Sequence, residues 1–142
     1  APDAQGITRA IRAAVEEAGL DVRDCLYINA HGTSTKLNDA SETLGIKQAL
    51  GEEAARAAHI SSTKSMTGHM LGATGALEAA VCALAIEHGV IPPTMGYAEP
   101  DPACDLDYTP NRAVAAPVRC ALSTNLGFGG HNAALAFKVY EE

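Results

Sequence analysis

The run from about Leu71 to His88 constrains the fold most, because it contains Gly72, Ala73, Gly75, Ala76, Ala79, Ala80 and Ala83. Small side chains cover most of the circumference of such a helix. With no polar face to show to water, and with room for neighbouring backbones to come close, it predicts an internal helix in a central layer between sheets or helices. The remaining segments supply those layers. Ile7, Ile11, Ala14, Val15 and Ala18 recur at helical spacing, and Gly19 follows as a stop, so the first element is an amphipathic helix. Cys25-Leu26-Tyr27-Ile28 is a β-type run. Asn38 or Asp39 caps a second helix reaching about Leu50, Glu52 to Ala58 adds a turn, and His59 to Ser62 is extended. Pro92, Pro93, Pro100, Pro102, Pro110 and Pro117 impose a long irregular stretch over the surface. Two final strands, Arg119 to Leu126 and Ala133 to Tyr140, are joined by the tip Gly127-Phe128-Gly129-Gly130-His131-Asn132. This order of elements predicts one α/β layered domain over 1–142, with a mixed sheet.

At 142 residues and 47% apolar content, the chain has enough bulk for a core. A net charge of −7 with scattered Lys and Arg argues against nucleic acid, and 4% aromatic residues give no base-stacking platform. No apolar run reaches the roughly 18 residues that span a bilayer, and Ala1-Pro2-Asp3-Ala4 lacks the basic and apolar regions of a leader, so a cytoplasmic location is expected. Cys25, Cys82, Cys104 and Cys120 show no Cys-x-x-Cys spacing, which predicts four free thiols.

The chemistry concentrates at His31 and His69. Each follows a strand-like piece, beside Gly and several hydroxyls, in Asn29-Ala30-His31-Gly32-Thr33-Ser34-Thr35 and Ser61-Ser62-Thr63-Lys64-Ser65-Met66-Thr67-Gly68-His69. Zinc would need a third ligand, and none stands at an accompanying spacing. Two neutral imidazoles can instead donate hydrogen bonds to a developing enolate oxygen, or steer loss of a carboxylate. Lys64, placed beside Glu78 of the small-residue helix, would form a buried charge pair that fixes the His69 loop. Ser61-x-x-Lys64 matches the serine acyl-enzyme signature Ser-x-x-Lys but lacks its partner motifs. In the glycine-rich tip, the pattern fails the dinucleotide fingerprint, yet Gly127 and Gly129 let the backbone approach a ligand. The Phe128 N–H can then serve as an oxyanion donor while its ring covers the entrance. His59 and His88 read as surface imidazoles, and Asp101, Asp105 and Asp107 as a solvated turn.

His-Gly-Thr-Ser-Thr at 31–35, Ser-Thr-Lys-Ser-Met-Thr-Gly-His at 62–69 and Gly-Phe-Gly-Gly-His-Asn at 127–132 occur together in that order. The chain thereby resembles, over essentially its whole length, the C-terminal half of the β-ketoacyl-acyl carrier protein synthases of the type I/II condensing-enzyme class. The wording around His69 is most similar to the fatty-acid type II enzymes. The resemblance implies a thiolase-like fold of two similar halves, usually assembled as a homodimer. It also implies decarboxylative condensation of a malonyl group, borne by an acyl carrier protein, with an enzyme-bound acyl group. By the same resemblance, His31 and His69 assist decarboxylation and stabilise the enolate, with Lys64 and Glu78 as their supporting pair. Asp39 and Glu42 brace the His31 loop, Thr33 and Thr35 touch the pantetheine arm, and Phe128 gates the site. No cofactor is implied beyond the 4'-phosphopantetheine of the carrier. A structural monovalent cation near Asn29, Glu78 and Ser123 is implied for some relatives.

The family's nucleophile, a Cys in an Ala-Cys-Ser type motif at a helix start, has no match here. Cys25 opens a strand, Cys82 lies within the small-residue helix, Cys104 in the Pro-rich stretch and Cys120 in a strand. The chain is therefore expected to be a half enzyme, a fragment or one product of a split polypeptide, inactive without its N-terminal half. The alternative is a non-catalytic partner, resembling a chain-length factor or an acyl-binding protein, against which the intact histidines argue.

Overall fold

Asp3 begins the first helix, α1 (Ala4–Ala18), by accepting hydrogen bonds from the N–H groups of Gln5 at 3.0 Å and Gly6 at 3.2 Å. Gly19 ends it at φ 61°, a conformation that costs glycine little. The computed structural model describes residues 3–141; Ala1 and Pro2 of the leader reading, and Glu142, lie outside the described residues. The order continues with β1 (Leu26–Asn29), α2 (Lys36–Leu50), α3 (Glu52–Ala57), β2 (His59–Ser61) and α4 (Lys64–Thr67). After a 3-10 turn (Leu71–Ala73) come α5 (Thr74–His88), β3 (Val90–Ile91), β4 (Val114–Ala115), β5 (Cys120–Leu126) and β6 (Asn132–Lys138).

Four strands form one sheet in the order β2-β1-β5-β6. β1 is parallel to both β2 and β5, whereas β5 and β6 form an antiparallel hairpin, so the sheet is mixed as expected. Successive side chains on a strand point to opposite faces, and this alternation builds two cores. Leu26, Ile28, Cys120 and Leu122 face Ile7 and Ile11 of α1 and Ile46 of α2. Tyr27 and Ala121 face Cys82 and Ala85 of α5, with Ile91 and Val118. Each of the fully buried isoleucines contributes about 2 kcal/mol by removal from water. α1 and α2 cross closely at Gly45, where any Cβ would lie 2.7 Å from Ile7 Cγ2.

The small-residue helix lies on the sheet as a layer, but within this chain only one side of it is covered. Thr74, Glu78, Cys82 and Ala85 are buried at helical spacing, while Ala76, Ala80, Ala83 and Leu84 are open. Leu71–His88 also forms 18 residues of continuous helix long and apolar enough to cross a membrane, which the count of apolar runs overlooked because Glu78 and Glu87 interrupt it. Inside the fold Glu78 makes an ion pair and the inner face is sheet-packed, so the length is explained by the layer.

Two further expectations change. α2 starts at Lys36 after Thr35, leaving Asn38 and Asp39 inside its first turn, because Thr35 can adopt the extended N-cap backbone (φ −111°, ψ 134°) without a side-chain cap bond. The Pro-rich stretch is not merely superficial. Leu106 enters the α1-side core, Ile60 N–H donates to the Asp107 carbonyl at 3.1 Å, and β3 pairs antiparallel with β4. Nor is Asp105 only solvated. It bridges Lys47 at 2.5 Å and Arg56 at 2.7 Å, and those cations hold its carboxyl down to about 2.

Candidate active site

His31 follows the C-terminal end of β1, where the sheet stops and the chain turns through Gly32 at φ 41°. Glu42 of α2 fixes this turn. One carboxylate oxygen accepts from His31 N–H at 2.8 Å and the other from Gly32 N–H at 2.9 Å. Thr124 of β5 accepts from the same His31 N–H at 3.2 Å and donates to Glu42 at 2.7 Å. Burial pushes the Glu42 carboxyl up, and the bonds from Gly32, Thr124 and His31 oppose that push. Glycine is required at 32, since a Cβ there would lie 2.5 Å from Ser62 Cβ; the close approach lets Ser62 Oγ donate to the Gly32 carbonyl at 2.7 Å. The His31 loop is thus locked to the segment that carries Lys64.

His69 comes from that second segment, after α4 and Gly68. Its Nδ1 accepts from Leu71 N–H at 3.1 Å and lies 3.3 Å from Thr74 Oγ1. Leu71 adopts φ 51°, a region that non-glycine residues seldom visit, and its N–H meets the ring in that conformation. With Nδ1 accepting, the imidazole proton resides on Nε2, which makes His69 a hydrogen-bond donor from its far side. The His31 and His69 ring centroids are 5.5 Å apart and the rings are nearly perpendicular, at 87°. Burial, reinforced by Lys64 and His69, lowers His31 to about 4, so it is neutral at physiological pH.

Lys64 and Glu78 form an ion pair with side chains only 5% and 2% exposed. Asn125 of β5 donates to the second Glu78 oxygen at 3.0 Å. Ser61 is fully buried and bonded to the Tyr27 hydroxyl at 2.9 Å, and Lys64 is committed to Glu78, so the Ser-x-x-Lys spacing forms no nucleophile. Among the described residues no group of three or more His, Cys, Asp or Glu could hold a metal ion. An alkali cation needs only oxygens, and Ser123 Oγ is buried without a partner, opposite Asn29 in the β1–β5 register. With the Glu78 carboxylate in the next layer, this donor set fits a hard monovalent cation.

A cavity of about 650 Å³ is lined by His69 but not by His31, together with Thr33, Thr35, Lys64 and, from the Pro-rich stretch, Met95, Tyr97 and Tyr108. Asp39 lines it too, but its carboxylate makes no bond to the His31 loop and only its N–H reaches the Thr35 carbonyl, at 3.0 Å, so of the two expected carboxylate braces only Glu42 bonds the loop. The Asp39 carboxylate instead accepts from Asn38 Nδ2, at 3.2 Å. Gly127, Phe128 and Gly129 occupy the β5–β6 turn outside this lining, with Phe128 97% exposed.

A family description for the C-terminal domain of beta-ketoacyl synthase matches residues 1–98. The chain belongs to the beta-ketoacyl synthase family. It is 54% identical over 99% of its length to a 3-oxoacyl-[acyl-carrier-protein] synthase 2 of Synechocystis, and 50% identical over 99% to one of Staphylococcus aureus. It spans about a third of each, 33% and 34%. Among solved structures, the ishigamide ketosynthase/chain length factor matches with a TM-score of 0.93 at 45% identity, over 99% of this chain and 34% of that one. A ketosynthase bound to a hexaketide and in complex with its type II acyl-carrier protein matches at 0.91 and 40%, over 97% and 34%. The fold is the thiolase-like one of these ketosynthases.

The thiols of this beta-ketoacyl synthase domain are free, as expected. Burial pushes the Cys82 thiol up to about 12 and that of Cys120 to about 11, and it raises Cys104 as well. Cys25 is exposed at φ 50°, ahead of β1 and not at a helix N-terminus. Sequence reasoning missed Thr124, Asn125, Ser62 and the cavity wall from the Pro-rich stretch. For Thr124 and Asn125 a signal existed, because polar residues ending an otherwise apolar strand next to a glycine-rich turn are costly unless they have partners.

Proposed function

We propose that this chain is the histidine-bearing portion of a 3-oxoacyl-acyl carrier protein synthase that elongates fatty acids. The observation that carries the reading is the meeting of two imidazoles at 5.5 Å, His69 with its donor turned outward and His31 kept neutral by burial. A cysteine contributed by the rest of the enzyme takes an acyl group as a thioester. The malonyl group arrives on the 4'-phosphopantetheine arm of an acyl carrier protein, lying along the cavity past Thr33 and Thr35. His31 and His69 donate to its thioester carbonyl oxygen. The bond to the carboxylate breaks, carbon dioxide leaves, and the electron pair becomes an enolate whose oxygen the imidazoles stabilise. The enolate carbon then attacks the acyl thioester, the cysteine sulfur departs as thiolate, and the 3-oxoacyl product remains on the carrier. Phe128, whose turn lies outside the cavity lining of this chain, would supply an N–H to the second oxyanion once the rest of the enzyme completes the site. Lys64 and Glu78 hold the His69 segment, and Glu42 holds that of His31. Asn29, Glu78 and Ser123 would hold a monovalent cation, whose charge would fix the strand ends beneath the site.

The partners of this reading are the carrier protein, the N-terminal half and a second copy of the full enzyme, in the cytoplasm. A carrier protein sits on the ketosynthase named above, which supports the first of these. The complete His31, Lys64, Glu78 and His69 set favours the enzyme over a non-catalytic chain-length partner. Joining this chain to the remaining two-thirds of the Synechocystis relative gives a fused enzyme in which to assay 3-oxoacyl product from acyl and malonyl carrier protein. Product formation that His69→Ala abolishes is expected; product formation indifferent to His69→Ala would refute the roles assigned.

A further inference from the structure

The segment from Met95 to Glu99 lines the same cavity as Thr33, Thr35 and His69, yet it belongs to no helix or strand. Its upstream end is tied down. Thr94 N–H donates to the Thr109 carbonyl at 2.9 Å, Asn111 N–H to the Thr94 carbonyl at 2.8 Å, and Met95 N–H to Ser65 Oγ of α4 at 2.8 Å. Downstream, Asp105 is held by Lys47 and Arg56. Between these anchors, among the described residues, the main chain of Gly96 to Cys104 reaches beyond its own span by hydrogen bonds at Tyr97 alone. Both bonds come from one side chain. Asn111 Oδ1 accepts from Tyr97 N–H at 3.0 Å, and Asn111 Nδ2 donates to the Tyr97 carbonyl at 2.6 Å. The amide thus makes the pair of bonds that one antiparallel strand residue exchanges with another. Asn111 stands at φ 59°, a left-handed conformation that asparagine adopts more readily than most side chains. Its own base is fixed to the sheet, because Thr109 Oγ1 donates to the Ile60 carbonyl of β2 at 2.8 Å.

We propose that Asn111, an exposed residue outside the cavity lining, is a positioning residue for substrate: it holds the Met95–Glu99 wall in the shape that receives the pantetheine arm and acts only through that wall. The inference rests on the placement of the arm in this cavity proposed above. With the clamp in place the wall is ordered before substrate arrives. Without it, the ordering falls on binding and weakens it, while the histidines and their supports are untouched. An exposed side chain with no such task is replaced at almost no effect.

The test measures kcat and KM of the fused enzyme with malonyl carrier protein and with malonyl-pantetheine, which offers the arm without the protein. Asn111→Gly deletes the amide but keeps the positive φ and the N–H to Thr94. KM should rise roughly threefold to tenfold for both substrates at unchanged kcat. Hydrogen exchange at the Tyr97 amide should quicken while the Ile60 amide stays protected. Asn111→Asp keeps the acceptor for Tyr97 N–H but sets a carboxylate against the Tyr97 carbonyl. It should raise KM at least as far, and it keeps the test open should the Gly variant fail to fold. An unmoved KM or an unaltered Tyr97 exchange in a folded variant overturns the proposal, as does a loss confined to kcat or to the carrier-borne substrate. Product made at an unmoved KM refutes this inference alone, whereas a fused enzyme that makes no product from either substrate refutes the condensation reading beneath it.

Discussion

Removing one member of the Lys64–Glu78 pair should cost far more than removing both. Lys64→Met strands a carboxylate whose side chain is 2% exposed, and Glu78→Leu strands an ammonium that is 5% exposed. Breaking a buried pair from one side costs about 3–5 kcal/mol, because the remaining charge has lost water and gained nothing. Glu78→Leu also orphans the Asn125 amide, which adds about 1 kcal/mol. Independent effects would sum to about 7–11 kcal/mol, comparable to the whole stability of a domain. The double variant Lys64→Met/Glu78→Leu removes both charges and fills their space with apolar atoms. It should lose only about 1–2 kcal/mol, most of it from Asn125. Urea unfolding of the chain at neutral pH, followed by helical circular dichroism at the four corners of this cycle, measures the coupling, expected at about 5 kcal/mol or more. Additive single effects would refute the claim that the two charges are retained for each other.

The His31 shift predicts a specific pH dependence. The unfolded chain takes up the proton near pH 6.5 and the folded one only near 4, so this contribution to stability is complete above about 6.5 and is lost as pH falls toward 4. His31→Gln should flatten the unfolding free energy over that window, and an unchanged slope would contradict the assignment. Gly32→Ala meets Ser62 Cβ at 2.5 Å from a backbone at φ 41°, so it should destabilise the chain by about 2 kcal/mol or more and suppress product formation. A thermal melt equal to that of the unsubstituted chain would count against the close packing of the two loops. A serine-reactive fluorophosphonate should leave Ser61 unlabelled, since the residue is fully buried and bonded to Tyr27; a labelled peptide containing Ser61 would restore the acyl-serine reading.

Most of the fold was legible because it rests on periodicity. Ile7 and Ile11 announce one face of α1, Gly19 and Gly51 mark helix ends, and the two late strands are separated by an unmistakable glycine turn. The histidines were legible because each stands where a strand-like run breaks. What stayed hidden depends on tertiary neighbours. Nothing local distinguishes Glu42, which spans two backbone N–H groups, from Asp39, one turn away, whose carboxylate is engaged by its own neighbour. The Pro-rich stretch has no repeat to read, and it becomes a cavity wall only because Asp105, Thr109 and Thr94 bind it to α2, α3 and β2. Composition alone makes the small-residue helix internal, yet the sheet covers only one side of it, and its outer side, with Leu84, is open in this chain.

In the proposed mechanism two imidazoles share one thioester carbonyl. Release of carbon dioxide from malonyl carrier protein by the fused enzyme isolates that step from acyl transfer. His31→Ala and His69→Ala should each lower this rate by about a hundredfold or more, and the double variant should be scarcely slower than either. Carbon dioxide release at the unsubstituted rate in either single variant would contradict it.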